Sequence, residues 1–293
     1  MKKIIIFLLL ITTINVSATE SSTIKVWKHT ANKPGIIGPL LLQALDITKH
    51  EYGDYQIIYS NYMSQDRAFR ELKNANLDIA HFVSTHQREK QIPPVYIPIM
   101  RGLLGYRLCL IKEDNQYKFN DVTTQQQWIE KGITIAQHRN WPDTNVLKSN
   151  GFKVQTTFKP ELLLQQLSKN RFDCYARGLS EISSELETNV PLDITIEKNI
   201  VIFYPLPQFY FVNPKKPLLA ERIHLGLTRL QKNGSSDQLF DTYYKDLLDK
   251  FYLKNRNLIE LDNPTLSAKT LQAINIPITN LKKQLITDQN RKP

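Results

Sequence analysis

At 293 residues, with 41% hydrophobic and 23% charged side chains, the chain has the composition of a folded protein and the length for two lobes. The formal charge of +10 is scattered, with Lys215-Lys216, Lys282-Lys283 and Arg291-Lys292 the adjacent basic pairs outside the first residues. Such scatter excludes a concentrated basic patch of the kind that grips nucleic acid, and it favours anionic small ligands.

The chain opens on Met1-Lys-Lys, a short apolar core from Ile4 to Ile14, and the small-x-small ending Val16-Ser17-Ala18. That is the pattern of a cleaved secretory signal over 1–18, since a membrane-spanning helix needs ~20 apolar residues. Loss of Lys2 and Lys3 would take the charge from +10 to +8. The expected product is exported, periplasmic and monomeric, with no membrane insertion after cleavage and no nucleic-acid partner.

Ile24 to Trp27 reads as a strand, with Lys28-His29-Thr30 as a loop after it. Pro39 to about His50 reads as a helix stopped by Gly53, and Tyr55 to Tyr59 as a strand. Ser64 is placed to cap a helix carrying Ala68, Phe69 and Leu72, and Leu77 to Val83 is the next strand. This β-α-β-α-β order implies a parallel sheet with helical crossovers.

The stretch Arg101 to Ile111 is strand-like, but Gly102 and Gly105 interrupt its start. A second apolar run, Ile200 to Val212, is broken by Pro205 and Pro207. These two runs read as adjacent hinge crossings between lobes. Between them the pattern restarts: strands at 132–136, 153–158 and 172–176, and helices after Trp141-Pro-Asp143-Thr, from Pro160, and from Leu179. Asp143 is placed to cap its helix. Cys109 and Cys174 either pair or remain buried thiols. Beyond the second run, Pro217 to Lys232 is amphipathic, and Ser235-Ser-Asp-Gln238 has the form of a capping box. From Asn263 the chain is polar and weakly periodic, which predicts a tail lying on the surface or partly loose. The expected division is 19–104 with 206–262 as one lobe, 105–205 as the other, and 263–293 as the tail.

Leu218 to Phe240, with its Asn233-Gly234 turn, resembles the C-terminal signature of family 3 periplasmic solute-binding proteins, the polar-amino-acid group. Leu77-Asp-Ile-Ala followed by Thr85-His-Gln-Arg88 is similar to that family's strand and Thr-x-x-Arg loop, and Arg171-Phe-Asp173 to its Arg-x-Asp strand. The resemblance implies the α/β type II periplasmic binding fold: two lobes, two hinge crossings, and a solute held in the cleft. It carries a carboxylate-binding role over to Arg88. Where the family commonly places an acidic residue for the ligand's ammonium, this chain has Arg177-Gly178.

The expected ligand-binding residues are therefore Arg88, Arg177, Trp141, His29, Trp27, Thr85, Tyr106 and Asp143. A guanidinium grips a carboxylate through two parallel donors, so Arg88 and Arg177 suggest an anionic solute. Trp27, Tyr106, Trp141 and Tyr175 either line the cleft or belong to the core. Arg107 reads as an outward strand residue or hinge partner, and Glu181 as an exposed helix charge. No cofactor or metal is expected: the six histidines show no ligand spacing. The function expected is capture of a small polar solute for a transporter or membrane sensor, not catalysis. The alternatives are a periplasmic lyase or dehydratase-like enzyme on the same fold, for which Asp143 or Glu181 would supply the acid, and a scaffold without ligand.

Overall fold

The computed structural model describes residues 22–32, 35–187 and 193–287, so the expected signal segment lies outside it. The strands are β1 (Ser22–Val26), β2 (Tyr55–Tyr59), β3 (Ile79–Val83), β4 (Tyr106–Lys112), β5 (Thr134–His138), β6 (Lys153–Thr157), β7 (Cys174–Gly178), β8 (Ile194–Ile196), β9 (Ile200–Phe203), β10 (Gln208–Val212) and β11 (Asn257–Glu260). They form two sheets. The first has the order β10-β3-β1-β2, with β1, β2 and β3 parallel and β10 antiparallel to β3. The second runs β11-β9-β4-β7-β5-β6, with β8 beside β4. In it β5, β6 and β7 are parallel, whereas β4 is antiparallel to β7, β8 and β9.

Helical crossovers follow from the local sequence. Ser64 accepts from the Arg67 amide and starts the helix Gln65–Lys73, whose Ala68, Phe69 and Leu72 are buried. Strand β3 is buried along its whole length, as a strand covered on both faces must be. The first long helix is Ile37–Asp46, shorter than the sequence suggested, because the Thr48 hydroxyl bonds back to the carbonyls of Ala44 and Leu45. The helix Pro217–Lys232 packs against it at Gly226, where a Cβ would run into the Ala44 carbonyl. Val26 and Leu227 consequently share one apolar core. The helix Ser235–Phe251 begins after left-handed Gly234 with no side-chain cap, so the expected capping box does not form.

The two crossings lie side by side. Tyr106 pairs with Phe203, and the Tyr204 amide donates to the Gly105 carbonyl at 3.3 Å. A Cβ on Gly105 would overlap the Tyr204 carbonyl, so the close approach requires glycine. Gly102 has φ of 91°, and Ile278 from the C-terminal helix packs over it. Cys109 on β4 and Cys174 on the neighbouring β7 form a disulfide, with Cα atoms 5.2 Å apart.

Two expectations for the end of the chain need correcting. Strand β11 joins the second sheet, against β9, although it follows helices that return to the first. The polar segment beyond Asn263 is the ordered helix Ala268–Lys282, not a loose tail. Its anchor is Glu89, which is 7% exposed and accepts from the hydroxyls of Ser84 (2.7 Å), Thr270 (2.7 Å), Tyr96 (3.2 Å) and Ser267. Four hydroxyl donors outweigh the cost of burial and hold the Glu89 carboxyl below its ordinary pKa. Asn263 meanwhile donates to the Pro205 carbonyl at 2.7 Å, and Lys282 pairs with Glu260 of β11. The segment thus straps one sheet to the other across the crossings.

Candidate functional site

Strands β5 and β7 end at the helices Pro142–Ser149 and Leu179–Glu187, and around those ends lies a buried charge cluster. This is the edge where parallel α/β sheets place ligands. Arg107, from the start of β4, is 4% exposed and pairs with Asp143 at 2.7 Å and Glu181 at 3.1 Å. Tyr204, from the second crossing, donates its hydroxyl to Asp143 at 2.7 Å and lies under the Arg107 guanidinium. Arg177, at the end of β7, pairs with Glu185 at 2.8 Å and with Glu181 at 3.6 Å. Its guanidinium sits 4.8 Å from the Trp141 ring and 5.3 Å from the Tyr175 ring. Gly178 donates its amide to Glu181 and leaves the space that Arg107 and Glu181 fill, since a Cβ there would come within 3.0 Å of both.

Burial disfavours the charged form of both arginines, but the facing carboxylates reverse the balance and raise their pKa values. Burial likewise pushes up the phenols of Tyr175 and Tyr204. The Nε atoms of Arg107 and Arg177 are buried without a hydrogen-bond partner.

A second cluster occupies the ends of β1 and β3. Trp27 is buried, donates its indole N–H to the Met63 carbonyl, and stacks within 5.5 Å of His29, His81 and Phe82. His29 is exposed and lies on the short helix Lys28–Asn32, not on a loop. Buried Thr30 bonds His81 Nδ1 at 2.9 Å. The two clusters approach one another through the start of the helix Gln65–Lys73: Asn140, next to Trp141, reaches Asp66 at 3.5 Å, and Gln65 bonds Arg88.

Of the residues singled out from sequence, Arg177, Trp141 and Asp143 come together, and Trp27 and His29 form the other side. Asp143 is not a cap. It lies in the first turn of its helix and faces Arg107, while Trp141 holds the N-cap position without a side-chain bond. Thr85 caps the helix His86–Gln91 by accepting from the Arg88 amide. Arg88 spends two donors internally, on the Val83 carbonyl at 2.8 Å and Gln65 at 3.1 Å, with its guanidinium between Phe69 and Phe82. Burial lowers its pKa. Tyr106 is core: it is fully buried against Phe203 and points to the face of β4 opposite Arg107.

The inference of an anionic solute rests on Arg88 and Arg177, and it needs correction because both are engaged internally: Arg88 by Val83 and Gln65, Arg177 by Glu181 and Glu185. Arg107 and Arg177 share three carboxylates, Asp143, Glu181 and Glu185. An acidic residue does stand a little beyond Arg-x-Asp: Glu181, in the first turn of the next helix, pairs with Arg107 and Arg177. Glu185 and Tyr204 were not singled out. Arg107, read as an outward strand residue or hinge partner, is buried, and Glu181, read as an exposed helix charge, is mostly buried and paired. A usable signal did exist: Arg177, Glu181 and Glu185 recur every four residues, and a lone arginine inside an apolar strand demands a buried partner.

No protein-family model matches the sequence, and no curated protein matches it. Solved structures do. An ancestral arginine-binding protein bound to arginine superposes with a TM-score of 0.52 at 16% identity, covering 76% of this chain and 99% of that one. The ancestral amino acid-binding protein AncCDT-1, a precursor of cyclohexadienyl dehydratase, gives 0.52 at 15% identity over 76% and 95%. The putative binding component of an ABC transporter from Wolinella succinogenes, complexed with lysine, gives 0.51 at 14% over 76% and 96%. At these identities the likeness establishes the architecture. The chain has the type II periplasmic binding protein fold, two α/β lobes joined by paired crossings.

Proposed function

We propose that the chain is an exported, periplasmic solute-binding protein that closes on a small zwitterionic or cationic organic solute. The solute would lie between the Trp27–His29–His81 cluster and the Arg177–Trp141–Glu185 cluster, and would be passed to a membrane transporter or reported to a sensor. One observation carries the reading: three carboxylates and two aromatic rings stand around the carboxyl ends of β5 and β7. Carboxylates and aromatic faces together recognise ammonium and guanidinium groups. Proteins of this fold that hold arginine and lysine support the same class. Among the described residues no helix is long and apolar enough to cross a membrane, which is compatible with export.

Capture is favoured over a lyase reaction because Asp143 and Glu181, the acids such a reaction would draw on, are both engaged by Arg107. A thermal-shift screen of amino acids, polyamines and dicarboxylates tests the proposal. Ligand at 100 times its Kd adds ~2.7 kcal/mol to stability, so true ligands raise the melting temperature visibly. Basic or zwitterionic amino acids should rank first. Dicarboxylates ranking first would refute the assignment.

A further inference from the structure

Arg177 is bound by its own protein in the way a cationic ligand would be. Its guanidinium lies 4.8 Å from Trp141 and 5.3 Å from Tyr175, with Glu185 at 2.8 Å and Glu181 at 3.6 Å. Two rings and two carboxylates make a complete recognition site for a guanidinium. The seat comes from three elements: β7, the loop ahead of Pro142–Ser149, and the helix Leu179–Glu187. Arg107 shares the Glu181 carboxylate with it. Its closer partner is Asp143, at 2.7 Å against 3.1 Å to Glu181.

We propose that Arg177 is an internal stand-in for the solute's cationic group, and that a guanidinium or ammonium ligand binds by displacing it. This rests on the solute-binding reading above and names the subsite for the cation. Two features make the occupant exchangeable. Its Nε–H is buried without an acceptor, so the seat leaves one donor unsatisfied that a freely oriented ligand need not leave. Arg107 and Arg177 also draw on the same Glu181 carboxylate, and their mutual repulsion weakens the hold on Arg177. The side chain remains 10% exposed and its partner Glu185 24%, so the guanidinium can swing outward while β7 stays in place. Occupancy from within lowers the apparent affinity for any competitor in proportion to the fraction of time the seat is filled.

Calorimetry with methylguanidinium chloride and L-arginine on three full-length proteins tests this: wild type, Arg177→Ala and Arg177→Met. Alanine empties the seat, whereas methionine removes the charge but keeps it filled. Arg177→Ala should bind methylguanidinium at least about tenfold more tightly than wild type, a difference of ~1.4 kcal/mol. Arg177→Met should show no such gain. Equal gains in both variants would mean that charge removal, not vacancy, is responsible, and would overturn the proposal. Weaker binding by Arg177→Ala would make Arg177 a direct ligand contact and overturn it as well. Should the alanine variant fail to fold, nitrogen-15 NMR of the wild type decides, with the Arg177→Met spectrum assigning the signal. The protected Arg177 Nε–H resonance should begin to exchange with solvent at saturating L-arginine, and continued protection refutes displacement. If Arg177→Ala takes methylguanidinium but no form binds an amino acid, the subsite stands and the solute-binding reading falls. If wild type binds amino acids and alanine gains nothing, the reverse holds. If nothing binds any form, both fall.

Discussion

Arg107 should be the costliest single residue of the charge cluster to remove, and Arg107→Met makes the perturbation clean by retaining the aliphatic volume. The guanidinium is 4% exposed and makes two ion pairs, to Asp143 at 2.7 Å and Glu181 at 3.1 Å. Removing one member of a buried pair costs about 3–5 kcal/mol, because the partner is left charged and dry. The survivors here are not wholly abandoned. Asp143 keeps the Tyr204 hydroxyl, and Glu181, 20% exposed, keeps Arg177 and the Gly178 amide. The lower end, about 3 kcal/mol, is therefore expected. Urea unfolding checks it, with the midpoint falling at unchanged slope. The double variant Arg107→Met/Asp143→Leu removes the stranded carboxylate at the expense of one tyrosine hydrogen bond, worth ~1 kcal/mol. It should be more stable than Arg107→Met alone, a non-additivity expected of contacting residues. A single-variant loss below ~1 kcal/mol, or a double variant that loses the sum of both single changes, would show that the cluster is not coupled in this way.

Three further outcomes follow from separate parts of the fold. Cys109 and Cys174 are 65 residues apart, so Cys109→Ser/Cys174→Ser should lose ~4 kcal/mol by the loop-entropy relation, and a melt that reductant does not lower would contradict the pairing. The Glu89 carboxyl has a depressed folded pKa, so its stabilising contribution is complete above the ordinary carboxylate range, about 4.3, and is lost as pH falls through the folded value. Amide protection in Ala268–Lys282, taken relative to the intrinsic exchange rate at each pH, should fall on acidification below about pH 4.3, and Glu89→Gln should flatten that dependence; identical profiles would refute the anchor. Gly105→Ala must push the two crossings apart and should cost about 2–3 kcal/mol, whereas a neutral change would mean the crossings are not held together at that point.

What could be read from the sequence was whatever neighbouring residues decide among themselves. Ser64 announces its helix because a serine three residues before an amide can satisfy it, and the structure shows that bond. Gly102 and Gly105 announce the crossing because few other residues tolerate what the backbone does there. Ser235 misled, since left-handed Gly234 already starts that helix and the Asn233 side chain takes the Ser235 amide. Strand β11 was invisible: four residues, Asn-Leu-Ile-Glu, pair with β9 more than fifty positions earlier. The C-terminal helix was invisible for a related reason. Its polar start is stabilised by Glu89, and nothing in 263–287 signals that partner. The charge cluster gathers residues 107, 143, 177, 181, 185 and 204, whose proximity depends on β4 and β7 lying side by side. Glu181 and Glu185 lie close to Arg177 along the chain, but only the antiparallel register of β4 and β7 brings Arg107, and with it Asp143, to Glu181.

That register also ties the cluster to the hinge. Arg107 is the second residue of β4, two positions past Gly105, and Tyr204 follows β9 on the other crossing. The amide of Tyr204 is held by Gly105 while its hydroxyl is held by Asp143, so one residue links crossing and cluster directly. A rotation of the lobes that shifts Tyr204 must also shift the seat of Asp143, and through Arg107 and Glu181 the hold on Arg177. Interlobe motion and the exchange of Arg177 for a ligand therefore draw on the same hydrogen bonds. In a packed, buried network such a change is taken in discrete steps, because partial displacement strands charges without partners. The strap made by the C-terminal helix adds resistance from outside, with Ile278 against Gly102 and Asn263 on the Pro205 carbonyl. A ligand that replaces Arg177 supplies a cation to Glu181 and Glu185 at the moment the hinge moves, which is when those carboxylates would otherwise be stranded. Differential stabilisation of that kind is what lets a solute select one arrangement of the lobes over another.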